Sequence, residues 1–189
     1  MENLISLENG GIKNLSKFEK VIVTGPPRSG TTISGKIIAH ELGYEFIDEH
    51  QYEHNISVKF VEILLTRSSV VVHTTSFTRD IHLIKNIPIV LVKRNINDIL
   101  KSFENSKRFK GKHENGLFAR FDDEALGIIL NHYGCKNGCV PEVIYDHFYK
   151  HNKDFFELNY EDLKDHELFI DKDKRKKFTH LKQTKETEK

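Results

Sequence analysis

The chain has almost no excess of charge of either sign. Its 189 residues include 29 lysines and arginines against 28 aspartates and glutamates, for a formal net charge of +1. Such a balance gives no overall attraction to nucleic acid or to an anionic membrane surface, so any affinity for anions must come from a local site. We therefore expect neither nucleic acid nor a membrane among the partners of this protein.

Long apolar runs and a secretory start are also missing. No stretch approaches the ~20 apolar residues that span a bilayer, and the start, Met1-Glu2-Asn3-Leu4, is neither basic nor apolar enough for a signal peptide. The only cysteines are Cys135 and Cys139, too few for a disulfide scaffold. These absences predict a cytoplasmic protein with reduced thiols.

What the sequence does contain is an alternation of apolar strands and amphipathic helices. Strands are predicted at 21–24, 44–47, 70–73, 89–92 and 155–158. Helices are predicted at 31–42, 58–65, 96–103, 125–132 and 142–151, with a short one near 161–163. The continuous apolar runs at 70–73 and 89–92 are typical of strands covered on both faces. This alternation predicts an α/β fold with a parallel sheet of about four to five strands flanked by helices.

The length is that of one domain with short extensions. Residues 1–19 are polar and are predicted to form a lead-in with one short helix, and residues 20–170 are predicted to form the α/β domain. From 171 to 189 nearly every residue is charged or polar, which predicts a solvated, flexible tail. No internal repeat is present.

The most informative segment is the turn between the strand at 21–24 and the helix at 31–42. Its glycines follow the spacing Gly25-x4-Gly30-x-Thr32, which is that of a P-loop, whose backbone N–H groups bind phosphate at a helix N-terminus. Thr31 stands where a nucleotide-hydrolysing P-loop carries its lysine. The segment therefore predicts a phosphate or sulfate site that relies on backbone and on Arg28, rather than an ATP site.

A second candidate anion site follows the strand at 89–92. Arg94 lies at the end of that strand, and Ser102 lies eight residues later on the next helix. Ligands of parallel α/β sheets bind at the carboxyl ends of the strands, and Arg offers a planar fork of donors suited to phosphate. Two separated anion sites on one edge of the sheet predict a ligand with two separated anionic groups.

Three motifs in this order resemble sulfotransferases that use 3′-phosphoadenosine 5′-phosphosulfate (PAPS). Pro27-Arg28-Ser29-Gly30-Thr31-Thr32 resembles the 5′-phosphosulfate loop, in the form typical of the tyrosylprotein and Golgi-type branch. Arg94 with Ser102 resembles the pair that binds the 3′-phosphate, and Leu158-Asn159-Tyr160-Glu161-Asp162-Leu163 resembles a late strand and "YEDL" segment. The resemblance covers residues 20–165.

The resemblance implies a P-loop, nucleotide-kinase-like sheet and in-line transfer of a sulfuryl group from PAPS to a hydroxyl or amine acceptor, with adenosine 3′,5′-bisphosphate (PAP) as product. The transfer reaction that the resemblance implies requires no metal. The acceptor would be a small molecule or peptide. The residues that it implies for the 5′-phosphosulfate are Pro26, Pro27, Arg28, Ser29, Gly30, Thr31 and Thr32. Arg94 and Ser102 would bind the 3′-phosphate.

Catalysis of this kind also needs a base for the acceptor proton, and two residues are candidates. Glu49 follows Arg28 by 21 residues, at a point that matches the catalytic Glu of the tyrosylprotein branch. His73 ends the strand at 70–73, where cytosolic sulfotransferases carry their catalytic His. Arg28 would act with either of them by neutralising the transferring group. The loop sequence favours Glu49.

Alternatives remain open at this point. A small P-loop kinase of a nucleotide or metabolite fits the loop spacing, although this chain lacks the P-loop lysine. A non-catalytic PAP-binding protein fits the anion sites.

A zinc set of His132, Cys135, Cys139 and His147 has no standard spacing, so no metal site is predicted. The basic run at 172–177 resembles in position a loop that closes over the nucleotide, but it lacks that loop's glycines. Aromatic residues between 104 and 150 would line the acceptor pocket; these are Phe109, Phe118, Phe121, Tyr133 and Tyr145.

Overall fold

A computed structural model of the chain describes residues 4–5, 11–49, 56–104, 131–133 and 140–178. Six strands form one parallel sheet in the order β1-β6-β5-β2-β4-β3. They are β1 (Leu4–Ile5), β2 (Lys20–Thr24), β3 (Glu45–Ile47), β4 (Val70–His73), β5 (Ile89–Lys93) and β6 (Phe156–Asn159). β2 lies in the interior of the sheet, between β4 and β5.

The described residues also form six α-helices and three 3₁₀ turns, which lie between these strands or follow the last of them. The α-helices are α1 (Thr31–Leu42), α2 (Ile56–Thr66), α3 (Ile96–Glu104), α4 (Val140–His151), α5 (Glu167–Ile170) and α6 (Lys172–Lys177). The 3₁₀ turns are Gly11–Lys17, Ile81–Leu83 and Tyr160–Leu163. None of the helices in the described ranges is long and apolar enough to span a bilayer.

Side chains of the central strands alternate between two apolar cores, one on each face of the sheet. Val21 and Val23 of β2 face the core that α1 covers, together with Ile37, Ile38 and Phe46. On the other face Ile22 packs with residues of α2, α3 and α4; these are Phe60, Ile99 and Phe148. Because both faces are covered, the strands read as unbroken apolar runs in the sequence.

The predicted fold class is confirmed in its main feature: the protein is an α/β protein with a parallel sheet flanked by helices. All five predicted strands are present, but the sheet has a sixth strand. β1, a two-residue strand, comes from the segment predicted as a lead-in and pairs with β6. Such a short strand has no pattern of its own in the sequence, so only its pairing identifies it.

Part of the segment predicted as a solvated, flexible tail forms a helix with no buried residue. Residues 172–177 form α6, with the Asp171 carboxylate accepting hydrogen bonds from two backbone N–H groups of its first turn. Phe178, which follows, packs against the core on the α1 side of the sheet. Most of the predicted helix at 125–132 lies outside the described residues, and all of residues 179–189 do.

Candidate functional site

The candidate site lies at the carboxyl edge of the sheet. Because the strands are parallel, four segments that are distant in sequence meet there: the glycine loop after β2, the acidic pair after β3, His73 at the end of β4 and Arg94 after β5. This edge is where parallel α/β sheets bind their ligands.

Two backbone positions in the loop require glycine. Gly30 has a φ of +94°, and a Cβ there would lie 2.2 Å from the ring of Tyr160. Gly25 has a φ of +153°, and a Cβ there would lie 2.9 Å from the carbonyl oxygen of Val92. The loop therefore packs directly against the ends of β5 and β6, which no residue with a side chain could do without displacing them.

The loop leads into the N-terminus of α1 without a side-chain cap. Gly30 is the N-cap residue, and the first backbone hydrogen bond of the helix runs from the N–H of Ser34 to the carbonyl oxygen of Gly30. The amides of residues 31–33 therefore have no acceptor within the helix. A 12-residue helix with open N–H groups at its positive end favours an anion at this point.

A cavity of about 430 Å³ opens in front of the loop. The described residues of its lining include five cationic side chains and no carboxylate. The lining residues are Arg28, Gly30, Thr31, Thr32, Ile33, Lys36, Arg94, Ser102, Tyr160, Arg175 and Lys176. In a cavity with low-dielectric walls, so many charges of one sign produce a strong positive potential, although the whole chain is almost neutral.

Arg28, predicted at one anion site, is in direct contact with both Arg94 and Ser102, the pair predicted at the other. The Nε of Arg28 donates to the Ser102 hydroxyl at 3.1 Å, and its Nη2 donates to the Ser102 carbonyl oxygen at 3.4 Å. The Nη1 of Arg94 donates to the carbonyl oxygen of Arg28 at 3.0 Å. The two predicted sites therefore belong to one continuous pocket rather than to two separated ones.

Two tyrosines hold Arg94 in place. Its guanidinium carbon lies 4.3 Å from the centre of the Tyr160 ring, a cation–π contact. The Tyr145 hydroxyl accepts from the backbone N–H of Arg94 at 3.1 Å and donates to the Val92 carbonyl at 3.0 Å. Burial raises the pKa of Tyr145 to about 12. Tyr145 is thus part of the core and holds the end of β5, although the sequence suggested that it lines an acceptor pocket.

Three of the cationic residues in the lining were not predicted as site residues: Lys36, Arg175 and Lys176. The Lys36 Nζ donates to the carbonyl oxygen of Arg175 at 3.1 Å, which joins α1 to α6. Burial lowers the pKa of Lys36, and Asp48 acts in the opposite direction. The sequence signal for Arg175 and Lys176 was the basic run at 172–177, which lacked the expected glycines. No sequence signal marked Lys36 as a site residue, because a single lysine on a helix is ordinarily exposed.

Glu49, the favoured base candidate, is bound to the turn after β4. Its two carboxylate oxygens accept four hydrogen bonds of 2.7–3.2 Å, from the hydroxyls of Thr74 and Thr75 and from the N–H groups of Thr75 and Ser76. Burial acts to raise the pKa of Glu49, but these hydrogen bonds outweigh it and hold the pKa below its usual value. This carboxylate holds the 74–76 turn in place and does not line the described cavity.

His73, the other base candidate, lies behind the loop. Its side chain is 6% exposed, and its Nε2 is 2.8 Å from the hydroxyl oxygen of Thr31. Its Nδ1 is 3.7 Å from a carboxylate oxygen of Asp48, and its ring is stacked on Phe46. His73 therefore does not itself line the described cavity, but it contacts Thr31, which does.

The four residues considered above as a zinc set, without a zinc site being predicted, lie only partly within the described residues. The side chains of His132 and His147 both lie at Arg79: Nδ1 of His132 is 2.9 Å from its guanidinium, and His147 Nε2 is 3.1 Å from its carbonyl oxygen. Cys135 and Cys139 lie outside the described residues, as do Phe109, Phe118 and Phe121.

One cluster of metal-type side chains occurs in the described ranges, formed by His40, Glu41 and His166. In this cluster His166 Nε2 and His40 Nδ1 lie 3.1 and 3.3 Å from the same oxygen of Glu41. However, the Nδ1 of His166 accepts a hydrogen bond from the N–H of Leu168. The proton of the neutral His166 ring is then on Nε2, from which it is donated to Glu41. Both ring nitrogens of His166 are therefore engaged in hydrogen bonds, and its Nε2 has no lone pair to offer a metal.

No family model matches the sequence, and no curated protein matches it. Among solved structures, a shikimate kinase from Bacteroides thetaiotaomicron is similar at 16% identity with a TM-score of 0.43, covering 75% of this chain and 86% of that one. A shikimate kinase from Acinetobacter baumannii in complex with shikimate is similar at 16% identity with a TM-score of 0.44, covering 77% of this chain and 86% of that one.

Proposed function

We propose that this protein is a sulfotransferase that binds PAPS in the cationic cavity and transfers its sulfuryl group to a hydroxyl or amine of a small-molecule or peptide acceptor. The observation that carries the proposal is the lining itself, in which the described residues supply five cationic side chains and no carboxylate. A ligand with several anionic groups suits such a lining, because the five cationic side chains can neutralise its charge themselves.

The residues divide between the two ends of such a nucleotide. The open N–H groups of the loop and of the first turn of α1, together with Arg28, would bind the 5′-phosphosulfate and neutralise charge on the transferring group. Arg94 and Ser102 would bind the 3′-phosphate. Lys36, Arg175 and Lys176 add positive charge from the α1 and α6 side of the cavity. The reaction would be an in-line displacement in which positioning and charge neutralisation provide most of the acceleration.

The base for the acceptor proton stays a prediction. Glu49 is occupied by four hydrogen bonds, and His73 contacts the loop through Thr31. In this proposal the protein acts in the cytoplasm.

Phosphoryl transfer by a small kinase is the second candidate. The spacing Gly25-x4-Gly30-x-Thr32 supports it, because Thr32 occupies the position of the Mg²⁺-binding hydroxyl of a P-loop and lines the cavity. Against it stand Thr31 in the position of the P-loop lysine and His73, rather than a carboxylate, at the end of β4. A protein that binds PAP without catalysis is the remaining alternative.

Calorimetric titration of the purified protein with three ligands at one ionic strength separates these candidates. The ligands are PAP with a metal chelator present, AMP, and Mg·ATP. A clear preference for PAP supports the proposal, and incubation with PAPS and a panel of hydroxyl and amine acceptors then distinguishes an enzyme from a binding protein. A preference for Mg·ATP would support the kinase. Failure to bind any of the three would refute both nucleotide proposals.

A further inference from the structure

A chain of three polar side chains runs from the cavity into the protein. Thr31 lines the cavity, its hydroxyl oxygen lies 2.8 Å from His73 Nε2, and His73 Nδ1 lies 3.7 Å from the carboxylate of Asp48. The imidazole is buried on the ring of Phe46.

The protonation state of His73 decides which way the Thr31 hydroxyl points. In the neutral ring with its proton on Nδ1, toward Asp48, the Nε2 is an acceptor and the Thr31 O–H donates to it. The hydroxyl then presents only oxygen lone pairs to the cavity, which repel an anion. In the imidazolium both ring nitrogens donate, so Nε2–H donates to Thr31 Oγ1 and the hydroxyl hydrogen is released to an anion.

We propose that binding of a tetrahedral dianion at the loop is coupled to uptake of one proton by His73, whose imidazolium directs the Thr31 hydroxyl toward the anion. The inference rests on the proposed function in that the dianion is the sulfuryl or phosphoryl end of the nucleotide. In this scheme the proton comes from solvent and goes to Nε2 of His73. In this scheme His73 is a positioning residue, because it acts on the anion through Thr31, and as an imidazolium it cannot also be the base that takes the acceptor proton.

The charges around His73 are consistent with anion binding and proton uptake favouring each other. Asp48, after β3, favours the imidazolium, whereas Lys36 on α1 and Arg28 in the loop oppose it. A second carboxylate, Glu49, is bound to the turn that directly follows His73. A dianion in the cavity neutralises the opposing cations, so the anion and the proton on His73 stabilise each other.

Sulfate is the appropriate probe, because it remains a dianion over the range in which histidine titrates, whereas phosphate groups titrate there themselves. We expect the wild-type protein to bind sulfate about tenfold more tightly near pH 5.5 than near pH 8. The His73→Gln variant places an uncharged N–H₂ donor near the position of Nε2, so its affinity for sulfate should be almost independent of pH. His151→Gln, which changes an exposed histidine at the end of α4, should keep the wild-type dependence.

Calorimetry of sulfate binding in two buffers of different ionisation enthalpy near pH 7 provides a second measurement that does not need the His73 variant to fold. The wild-type protein should take up a fraction of a proton on binding, and Thr31→Val, which keeps the side-chain shape without the hydroxyl, should take up much less. Equal pH dependence in His73→Gln and wild type, or no proton uptake by wild type, would overturn the inference. If sulfate behaves as expected but PAP binds no better than AMP, the coupling stands and the proposed nucleotide does not.

Discussion

The guanidinium of Arg94 lies over the face of Tyr160, with 4.3 Å between the guanidinium carbon and the ring centre. The same ring fills the space that a side chain at residue 30 would need, 2.2 Å from the ideal Cβ position. Tyr160 therefore ties the end of β6 both to the loop and to the arginine proposed to bind the 3′-phosphate. Four predictions follow from this arrangement and from the contacts around it.

Replacing Arg94 by Ala should weaken binding of PAP roughly 10- to 100-fold, because a charge-assisted, forked contact with phosphate is lost. AMP, which has no 3′-phosphate, should lose much less affinity. Arg94→Lys is the matched control: it keeps the charge but loses the planar fork and the stacking on Tyr160, so it should restore only part of the affinity. Calorimetric titration of each variant with both nucleotides measures these effects. An equal loss for PAP and AMP would contradict the 3′-phosphate role.

Gly30→Ala should destabilise the protein more than the same change at Gly43. Both glycines have positive φ, at +94° and +68°, so each substitution has a backbone cost of about 1–2 kcal/mol. A Cβ at Gly43 meets nothing within 4 Å, whereas a Cβ at Gly30 collides with the Tyr160 ring. The overlap should add roughly 1–3 kcal/mol at Gly30.

Urea unfolding of the two variants provides the comparison. In a Tyr160→Ala background the ring is gone, so the difference between Gly30→Ala and Gly43→Ala should become small. A difference that persists without the ring would show that overlap with Tyr160 is not the cause.

Glu49→Gln should lower the free energy of unfolding by about 2–3 kcal/mol near neutral pH, because the amide cannot accept all four hydrogen bonds from the 74–76 turn. The pKa of Glu49 is lowered in the folded protein, so its stabilisation is present above the unfolded value of 4.5 and is lost as the pH falls through the lower folded value. The difference between variant and wild type should therefore shrink in acid.

Denaturant unfolding at several pH values tests the role of Glu49. Glu62→Gln is the control: Glu62 is an exposed residue on α2 paired with Lys59, and its replacement should cost under about 0.5 kcal/mol at any pH. Should Glu49→Gln instead keep full stability while losing sulfuryl transfer, Glu49 would be the catalytic base rather than the residue that holds the turn.

Arg175→Ala combined with Lys176→Ala should weaken binding of PAP roughly tenfold at low salt, and less as the ionic strength increases, because the two cations act at the rim of the cavity. Lys172→Ala changes the charge of the same helix at a residue outside the lining, so it should have little effect. Titrations at two salt concentrations make the comparison. If Lys172→Ala weakens binding as much as the double variant, the effect is one of overall charge and not of the cavity.

Much of the fold could be read from the sequence because its signals are local. The runs at β2, β4 and β5 are apolar without interruption, and α1 begins after Gly30 and ends before Gly43, as its residue pattern predicts. β1 was missed because two residues carry no periodicity. α6 was missed because all six of its residues are charged, and its first turn depends on hydrogen bonds to Asp171.

The candidate site was predictable in part. The loop and the pair Arg94 and Ser102 were found from their spacing after apolar strands, and the structure brings them into one cavity. Glu49 was predicted as a base because it follows the loop at a matching distance. Spacing along the chain does not show that the 74–76 turn supplies four donors to its carboxylate.

The sequence by itself determined the α/β class, the glycine loop and the residues that present an anion site, because strand patterns and glycine requirements act within a few neighbouring residues. Only the tertiary structure decided which charges share the cavity. Lys36 meets Arg175 across 139 positions of sequence, and Arg28 meets Ser102 across 74. Contacts at such separations depend on the order of strands in the sheet and on how the helices pack, and neither is expressed in a local pattern.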